Sequence, residues 1–464
     1  MKVLKFIIAL LLAIALPKLG YTASFAYTAN NGATITAYTL DNTTGTLTLI
    51  GNYAAVSSCS SLTLDPSQRF LYVTNFNANS ISAFSINPSS GALIPFPGTP
   101  TPTGNGPGSI TTDPLGRFLY TANQNSLDVS VYSINSLNGT LTEITGSPFP
   151  VPFATAAVTA IAINKSGRFA YVSNNDANGP IYTFKIFQDT GALSFLSTTP
   201  AGSGTDWLAV DPKNRFLYAA NLNDQTVSAY KIGQATGGLK PIAGSPFFVN
   251  GAPQQVIVDP TGEFVLTAND GSSGNAGVSV LQIDQLTGAL AQLAGSPFTA
   301  GLAPTGVVIT SDSKFVYSAN QGSNTVSGFV VNPSNTFILT PTISSPYLVE
   351  SGPVKIVTTD GPVQPPENLM GCQKSFSDGA NRAFVNFLTW DAPSSGVVPA
   401  FYEIYRPDGT LIATIPSTAP LKFKDYYIRF NRSYTYSVIS VDPFGNRSAP
   451  ATVTVGQCGG GGAG

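Results

Sequence analysis

A chain of 464 residues with no histidine has to do any proton chemistry with carboxylates, lysines or thiols. No Ser–His–Asp relay, imidazole base or His metal ligand is available to it. Asp206 stands beside Trp207, one of two tryptophans, and Glu350 lies shortly before Lys355. A carboxylate held against an apolar ring is a candidate general base, because loss of water raises its pKa towards neutrality. A lysine at the same site steadies a developing oxyanion. Asp206 or Glu350 as base with Lys355 as oxyanion partner is hydrolytic chemistry, and Gln254 and Thr305 add hydrogen-bonding groups for a ligand. Carboxylates with Asn carbonyls could instead hold Ca²⁺; no other cofactor is expected. Cys59 reads as a small buried residue at the start of an inner strand, since a reactive thiol needs a base or a helix dipole.

These residues come together only through a repeat. Phe70-Leu-Tyr-Val-Thr-Asn75 returns as Phe118-Leu-Tyr-Thr-Ala-Asn123, Phe169-Ala-Tyr-Val-Ser-Asn174, Phe216-Leu-Tyr-Ala-Ala-Asn221, Phe264-Val-Leu-Thr-Ala-Asn269 and Phe315-Val-Tyr-Ser-Ala-Asn320. Phe25-Ala-Tyr-Thr-Ala-Asn30 is the first copy, and successive Asn residues are 45, 48, 51, 47, 48 and 51 positions apart. Each unit carries four short strand-like runs with turns between them, the pattern of a propeller blade. The first unit lacks the innermost run, and Val354-Lys-Ile-Val-Thr-Thr-Asp360 supplies a matching one after the seventh unit. The expectation is an all-β chain: a seven-bladed propeller over residues 24–361, closed by a strand from its own C-terminal end.

Residues that recur around a ring are structural. Asp65, Asp113, Asp211 and Asp259 share one turn position, as do Arg69, Arg117, Arg168 and Arg215. The Asp is expected to cap a tight turn and the Arg to pair with it. Residues unique to one unit are where a site would lie. At the position leading each innermost strand the units read Ser60, Gly108, Thr159, Asp206, Gln254, Thr305 and Lys355. Nearby loops add Asp128, Asp176, Asp224 and Asp270, which read as solvated loop charges.

The units resemble the YVTN-type, lactonase-family propellers, the group that contains bacterial 6-phosphogluconolactonase. The resemblance rests on Tyr-x-x-Asn, on Asp-Pro-x-x-Arg-Phe at 65–70 and 211–216, on Thr-Gly-Ala-Leu at 190–193 and 287–290, and on Gly-Ser-Pro-Phe at 244–247 and 295–298. Enzymes of that group use a His at the channel mouth with a carboxylate and an Arg. The His has no counterpart here, and no unique Arg faces the mouth. A fold of this kind hosts many functions.

At the N-terminus, Lys2 and Lys5 precede an apolar run at 6–16 that Pro17 breaks. The run is too short to span a bilayer, which takes about 20 residues, and residues 1–23 read as a signal peptide. No other stretch reads as a transmembrane segment. Residues 362–366 are a Pro-rich linker, and 459–464 are a Gly-rich tail. Residues 367–458 resemble a fibronectin type III sandwich through Phe387-Leu-Thr-Trp390-Asp-Ala-Pro393, Tyr402-Glu-Ile-Tyr405-Arg406, Asp425 and Tyr434-Thr-Tyr436-Ser-Val438. Trp390 would anchor its core, and Tyr434 or Tyr436 would be a corner tyrosine. In an exported chain Cys372 and Cys458 are expected to form a disulfide, because their strands run the same way.

Twenty-two basic and 24 acidic residues give no electrostatic case for nucleic acid. Only 10% of residues are charged. With no His, the acidic rim and the export signal, the leading expectation is a non-enzymatic binding, adhesion or scaffold module for a protein, polysaccharide or surface ligand. The alternative is a divergent His-free lactonase or related hydrolase at the channel mouth. A pure binder should respond little to pH between 5 and 8, Asp206 being the one group expected to shift.

Overall fold

The structure, a computed structural model, describes residues 23–457 apart from 273, 333–336, 362, 378–381, 394–397, 407, 427, 429–432 and 443–446. The expected signal peptide, the Gly-rich tail and Cys458 lie outside the described residues. No helix among the described residues is long and apolar enough to cross a membrane. The chain divides near residue 362 into two compact units.

The first unit is a ring of seven antiparallel sheets. Six follow chain order from the centre outwards, as in Thr205–Val210, Phe216–Asn221, Thr226–Ile232 and Leu239–Pro241. The remaining sheet runs Leu47–Ala54, Thr34–Leu40, Ser24–Asn30 and then Pro353–Thr358. Tyr27 pairs with Val357 and Thr28 with Ile356, so the late strand completes the first blade. Second strands such as Phe70–Asn75 and Phe216–Asn221 are buried along their whole length. Sheets covered on both faces by their neighbours demand this, which is why these strands are apolar on both alternations. Five blades add a short extra outer strand. In four of these blades the Ser of the Ser-Pro break accepts a third-strand amide, as Ser245 does from Ala229 at 2.9 Å.

The repeated motif stitches the ring. Tyr27, Tyr72, Tyr120, Tyr171, Tyr218 and Tyr317 donate their hydroxyls to the carbonyls of Gly91, Gly139, Gly191, Gly237, Gly288 and Gly45 at 2.7–3.1 Å. Each bond crosses to the next blade, and the last joins the seventh blade to the first. A buried bond of this kind contributes about 1 kcal/mol. The repeated Asn clamps its own blade: Asn221 Nδ2 donates to Thr226 and Ser228 Oγ atoms, both at 2.9 Å.

At the turn between first and second strands, Asp113 accepts the amides of Arg117 and Phe118 at 2.5 and 2.9 Å. The expected Arg–Asp pair forms at Arg117–Asp113, 3.0 Å, and at Arg215–Asp211, 2.8 Å. It does not form in two units. Arg69 donates to Ser67, which itself holds Asp65. Arg168 meets an amide, Asn164, where the units of Asp65, Asp113, Asp211 and Asp259 have a carboxylate. All four guanidinium groups lie over the following Phe ring at 4.8–5.4 Å.

The second unit arranges seven strands in the order Leu411–Pro416, Phe401–Tyr405, Tyr434–Val441, Ala451–Gln457, Glu367–Ser377, Arg382–Asp391 and Lys422–Asp425. Trp390 and Tyr402 sit on strands four apart in that order, yet their rings meet at 5.6 Å, so the sheet folds over its own core. Trp390 is 3% exposed. Tyr436 is fully buried, donates to Asp425 and accepts from Asn386, each at 2.8 Å. Arg406 completes the cluster with two bonds to Asp425 at 2.7 and 3.0 Å. Glu367–Ser377 and Ala451–Gln457 are parallel neighbours, with Cys372 opposite Gly456.

Candidate functional site

At the end of the ring opposite the Asp–Arg turns lies a cavity of about 470 Å³, within the range of small-molecule sites. All seven residues that lead the innermost strands line it: Ser60, Gly108, Thr159, Asp206, Gln254, Thr305 and Lys355. A shared irregularity aims most of them inwards. In the fifth blade Thr205 pairs with Asn221 and Trp207 with Ala220, so Asp206 is an extra residue pushed out of the ladder. Ser60, Gly108, Gln254 and Thr305 are extra in the same way. Such bulges re-aim a side chain without breaking the sheet.

The register corrects one assignment. In the first blade the extra residue is Val354, and Lys355 pairs with Ala29. Lys355 is therefore the counterpart of Trp207, not of Asp206. The two counterparts meet: Lys355 Nζ lies 3.8 Å from the Trp207 ring centroid and donates to the Thr305 carbonyl at 2.9 Å. Lys355 is 9% exposed, and no carboxylate among the described residues forms an ion pair with it. Burial pulls its ammonium down to about 8, with Asp206 opposing that shift.

Asp206 keeps part of its surface open to the cavity while protein surrounds it. Burial pushes its carboxyl up to about 6, against the pull of Lys355 and with a further push from Asp270. Among the described residues no hydrogen bond holds this carboxylate. The other mouth residues are engaged. Ser60 donates to the Pro107 carbonyl, Thr159 to that of Thr205 and Thr305 to that of Val354, at 2.5, 2.8 and 3.0 Å. Each bond reaches the next blade. Gln254 is held by its amide to Asp270 at 2.9 Å. Gly108 matters by its size: a Cβ there would stand 2.3 Å from Gln124 Nε2, so the glycine lets Gln124 reach the cavity.

Of the three candidate catalytic residues, the structure brings Asp206 and Lys355 into one cavity and leaves Glu350 exposed on the crossover outside it. Trp207, Gln254 and Thr305 all line the cavity. Cys59 starts an inner strand at the cavity wall, 1% exposed, with burial pushing its thiol up to about 12. The rim carboxylates brace loops: Asp128 accepts from Asn123 and Ser126, Asp176 from Thr155, and Asp224 from the Ser203 amide. No cluster of three or more Cys, Asp or Glu able to hold a metal ion occurs among the described residues. Sequence reading missed Asn31, Phe76, Gln124 and Gln321, which also line the cavity. Each directly follows the repeated Asn, and that variable residue after an invariant one was the available signal.

A sequence profile described as "Lactonase, 7-bladed beta-propeller" matches residues 22–156, 145–254 and 245–354. The chain belongs to this lactonase family. Among curated relatives, 6-phosphogluconolactonase of Serratia proteamaculans is 27% identical over 148 residues, 30% of this chain and 43% of that protein. The enzyme of the same name from Pectobacterium atrosepticum is 30% identical over 140 residues, 29% of this chain and 41% of the relative. The chain thus spans less than half the length of these relatives. A solved putative 6-phosphogluconolactonase from Bacteroides fragilis superimposes with a TM-score of 0.63 at 20% identity, covering 73% of this chain and 98% of that one. The periplasmic gluconolactonase of Pseudomonas aeruginosa gives 0.61 at 20% identity, covering 72% and 99%. At such identities the likeness is one of fold.

These findings overturn the leading expectation of a non-enzymatic binding, adhesion or scaffold module. The lactonase family match, together with relatives named as lactonases, favours the hydrolase alternative. The missing His had weighed against it. The cavity does hold a carboxylate, Asp206, whose affinity for protons burial raises.

Proposed function

We propose that this family member hydrolyses a neutral sugar lactone in the mouth cavity. The observation that carries the reading is the convergence of one carboxylate, Asp206, and one ammonium, Lys355, neither in an ion pair among the described residues, on a cavity whose other polar lining is mostly amides and hydroxyls beside the Phe76 and Trp207 rings. Asp206 takes a proton from a water as that water attacks the lactone carbonyl carbon. The carbonyl π pair moves to oxygen, where the Lys355 ammonium receives the charge. Collapse breaks the ring C–O bond, and the proton on Asp206 passes to the departing alkoxide. The product is an open-chain hydroxy acid. Gln254, held by Asp270, and the Thr305 carbonyl that orients Lys355 are positioning groups.

A neutral substrate suits the charges. Among the described residues Asp206 and Lys355 are the only Asp, Glu, Lys or Arg side chains lining the cavity, so a phosphate dianion would find one cation sharing the cavity with a carboxylate. Asn31, Asn77, Gln124 and Gln321 offer donors and acceptors to a polyol. The test compares turnover of D-gluconolactone and its 6-phosphate. Higher kcat/KM on the neutral lactone, lost in Asp206→Asn, supports the reading; no rate above spontaneous hydrolysis on either refutes it.

We further propose export, supported by the basic and apolar run at 2–16 and by the fold shared with a periplasmic gluconolactonase. The second unit is read as fibronectin type III-like, supported by the buried Trp390 and the bonded Tyr436. A Cys372–Cys458 disulfide would tie its parallel strands, in line with Cys372 lying opposite Gly456. Intact-mass analysis after alkylation without reductant should find one blocked thiol, Cys59.

A further inference from the structure

We infer that Lys355 is also a carbonyl-capturing amine, and that the mouth cavity forms an imine with small aldehydes, the open-chain forms of short sugars among them. The inference goes beyond lactone hydrolysis and does not depend on it. It uses Lys355 as a free amine, whereas hydrolysis uses it as an ammonium.

The geometry separates Lys355 from the exposed lysines. Its Nζ lies in the wall of a cavity of about 470 Å³, against the Trp207 ring at 3.8 Å and the Thr305 carbonyl at 2.9 Å. A carbonyl acceptor and an aromatic face fix the direction of the nitrogen without neutralising it by an ion pair. Lys231 and Lys240, by contrast, stand exposed on outer strands. Burial also lowers the Lys355 pKa to about 8, so about one amine in ten is free at pH 7, against fewer than about one in a thousand for an ordinary lysine. Asp206, with a carboxyl raised to about 6 in the same cavity, keeps a minor protonated fraction at that pH.

The chemistry balances with those two groups. The Nζ lone pair attacks the aldehyde carbon, the C=O π pair moves to oxygen, and a proton passes from nitrogen to that oxygen to give a carbinolamine. The Asp206 carboxyl protonates the hydroxyl, and water leaves. The nitrogen lone pair then forms the C=N bond, giving an iminium with the Asp206 carboxylate beside it. Amine, aldehyde and one proton yield iminium and water. The Trp207 ring face lies ready for the iminium charge, 3.8 Å from Nζ.

Reductive trapping tests this on the full chain. Glycolaldehyde and sodium cyanoborohydride at pH 7 convert any iminium to a stable secondary amine, which peptide mass spectrometry locates. Lys355 is expected to label at least about tenfold faster than Lys231 and Lys240 in the same digest. Asp206→Asn should slow labelling of Lys355 alone, and Lys355→Arg should abolish the fast site while unfolding at an unchanged temperature. Labelling of Lys355 no faster than the exposed lysines overturns the proposal. The exposed lysines are an internal reference, so the result does not depend on any variant folding. Lactone turnover is read separately, so either activity can fail without the other.

Discussion

The two ends of the same strands obey different rules. At the turn end, Asp113 and Asp211 are each buried, each hold two backbone amides, and each meet an arginine of their own unit. At the mouth end the extra residues change from blade to blade, Gly108, Asp206 and Gln254 among them, Lys355 stands one position further along its strand, and no hydrogen bond among the described residues holds the Asp206 carboxylate. Burial raises its proton affinity, a cost that pairing would have removed. The turn end spends its charges on the fold, and the mouth end leaves one of each sign free for a ligand.

The comparison breaks first if the ring itself does not depend on closure. A chain ending at Gly352 loses Pro353–Thr358, which completes the first blade and carries Lys355. It should lack a cooperative thermal transition and elute as aggregate, because two sheet edges are left open. A chain ending at 361 should keep one.

Next come paired substitutions at the two ends. Asp206→Asn should lower kcat/KM by about 10² to 10⁴ with little change in unfolding temperature. Asp211→Ala should do the reverse. It strands the amides of Arg215 and Phe216 and removes the ion pair of the Arg215 guanidinium, at about 1–3 kcal/mol, and kcat should stay within about twofold. Denaturant midpoints and lactone kinetics on both variants decide it.

Smaller effects sharpen the picture. Tyr72→Phe removes one blade-to-blade bond, to the Gly139 carbonyl at 2.7 Å, and should cost about 1 kcal/mol without touching turnover. Glu350→Gln, exposed and outside the cavity, should be neutral in both measurements.

The turn end was legible in the sequence because repetition is self-checking. Seven copies of one motif fix the blade count, and the orphan run at 354–360 fixes the closure. The mouth was legible only in part. Asp206, Gln254 and Thr305 could be aligned because they stand at one offset from the repeat, but the bulge that aims them is a matter of pairing and leaves no residue signature. That same bulge moves the first-blade counterpart from Lys355 to Val354. The contact of Lys355 with Trp207 joins residues 148 positions apart in the chain, and no local pattern encodes it. Function was misjudged for a related reason. The absence of His weighed more in the sequence than the candidate base Asp206, whose burial, which raises its proton affinity, shows only in the folded ring.

The central claim is that Asp206 and Lys355 share one catalytic cavity, and the pH dependence of kcat/KM on D-gluconolactone tests it most directly. Asp206 acts as a carboxylate, so the rate should rise as pH climbs through about 6. Lys355 acts as an ammonium, so the rate should fall as pH passes about 8. Asp206→Asn should erase the rising limb. Enzymatic turnover that stays level from pH 5 to 9, or a rising limb that survives in Asp206→Asn, would contradict the account.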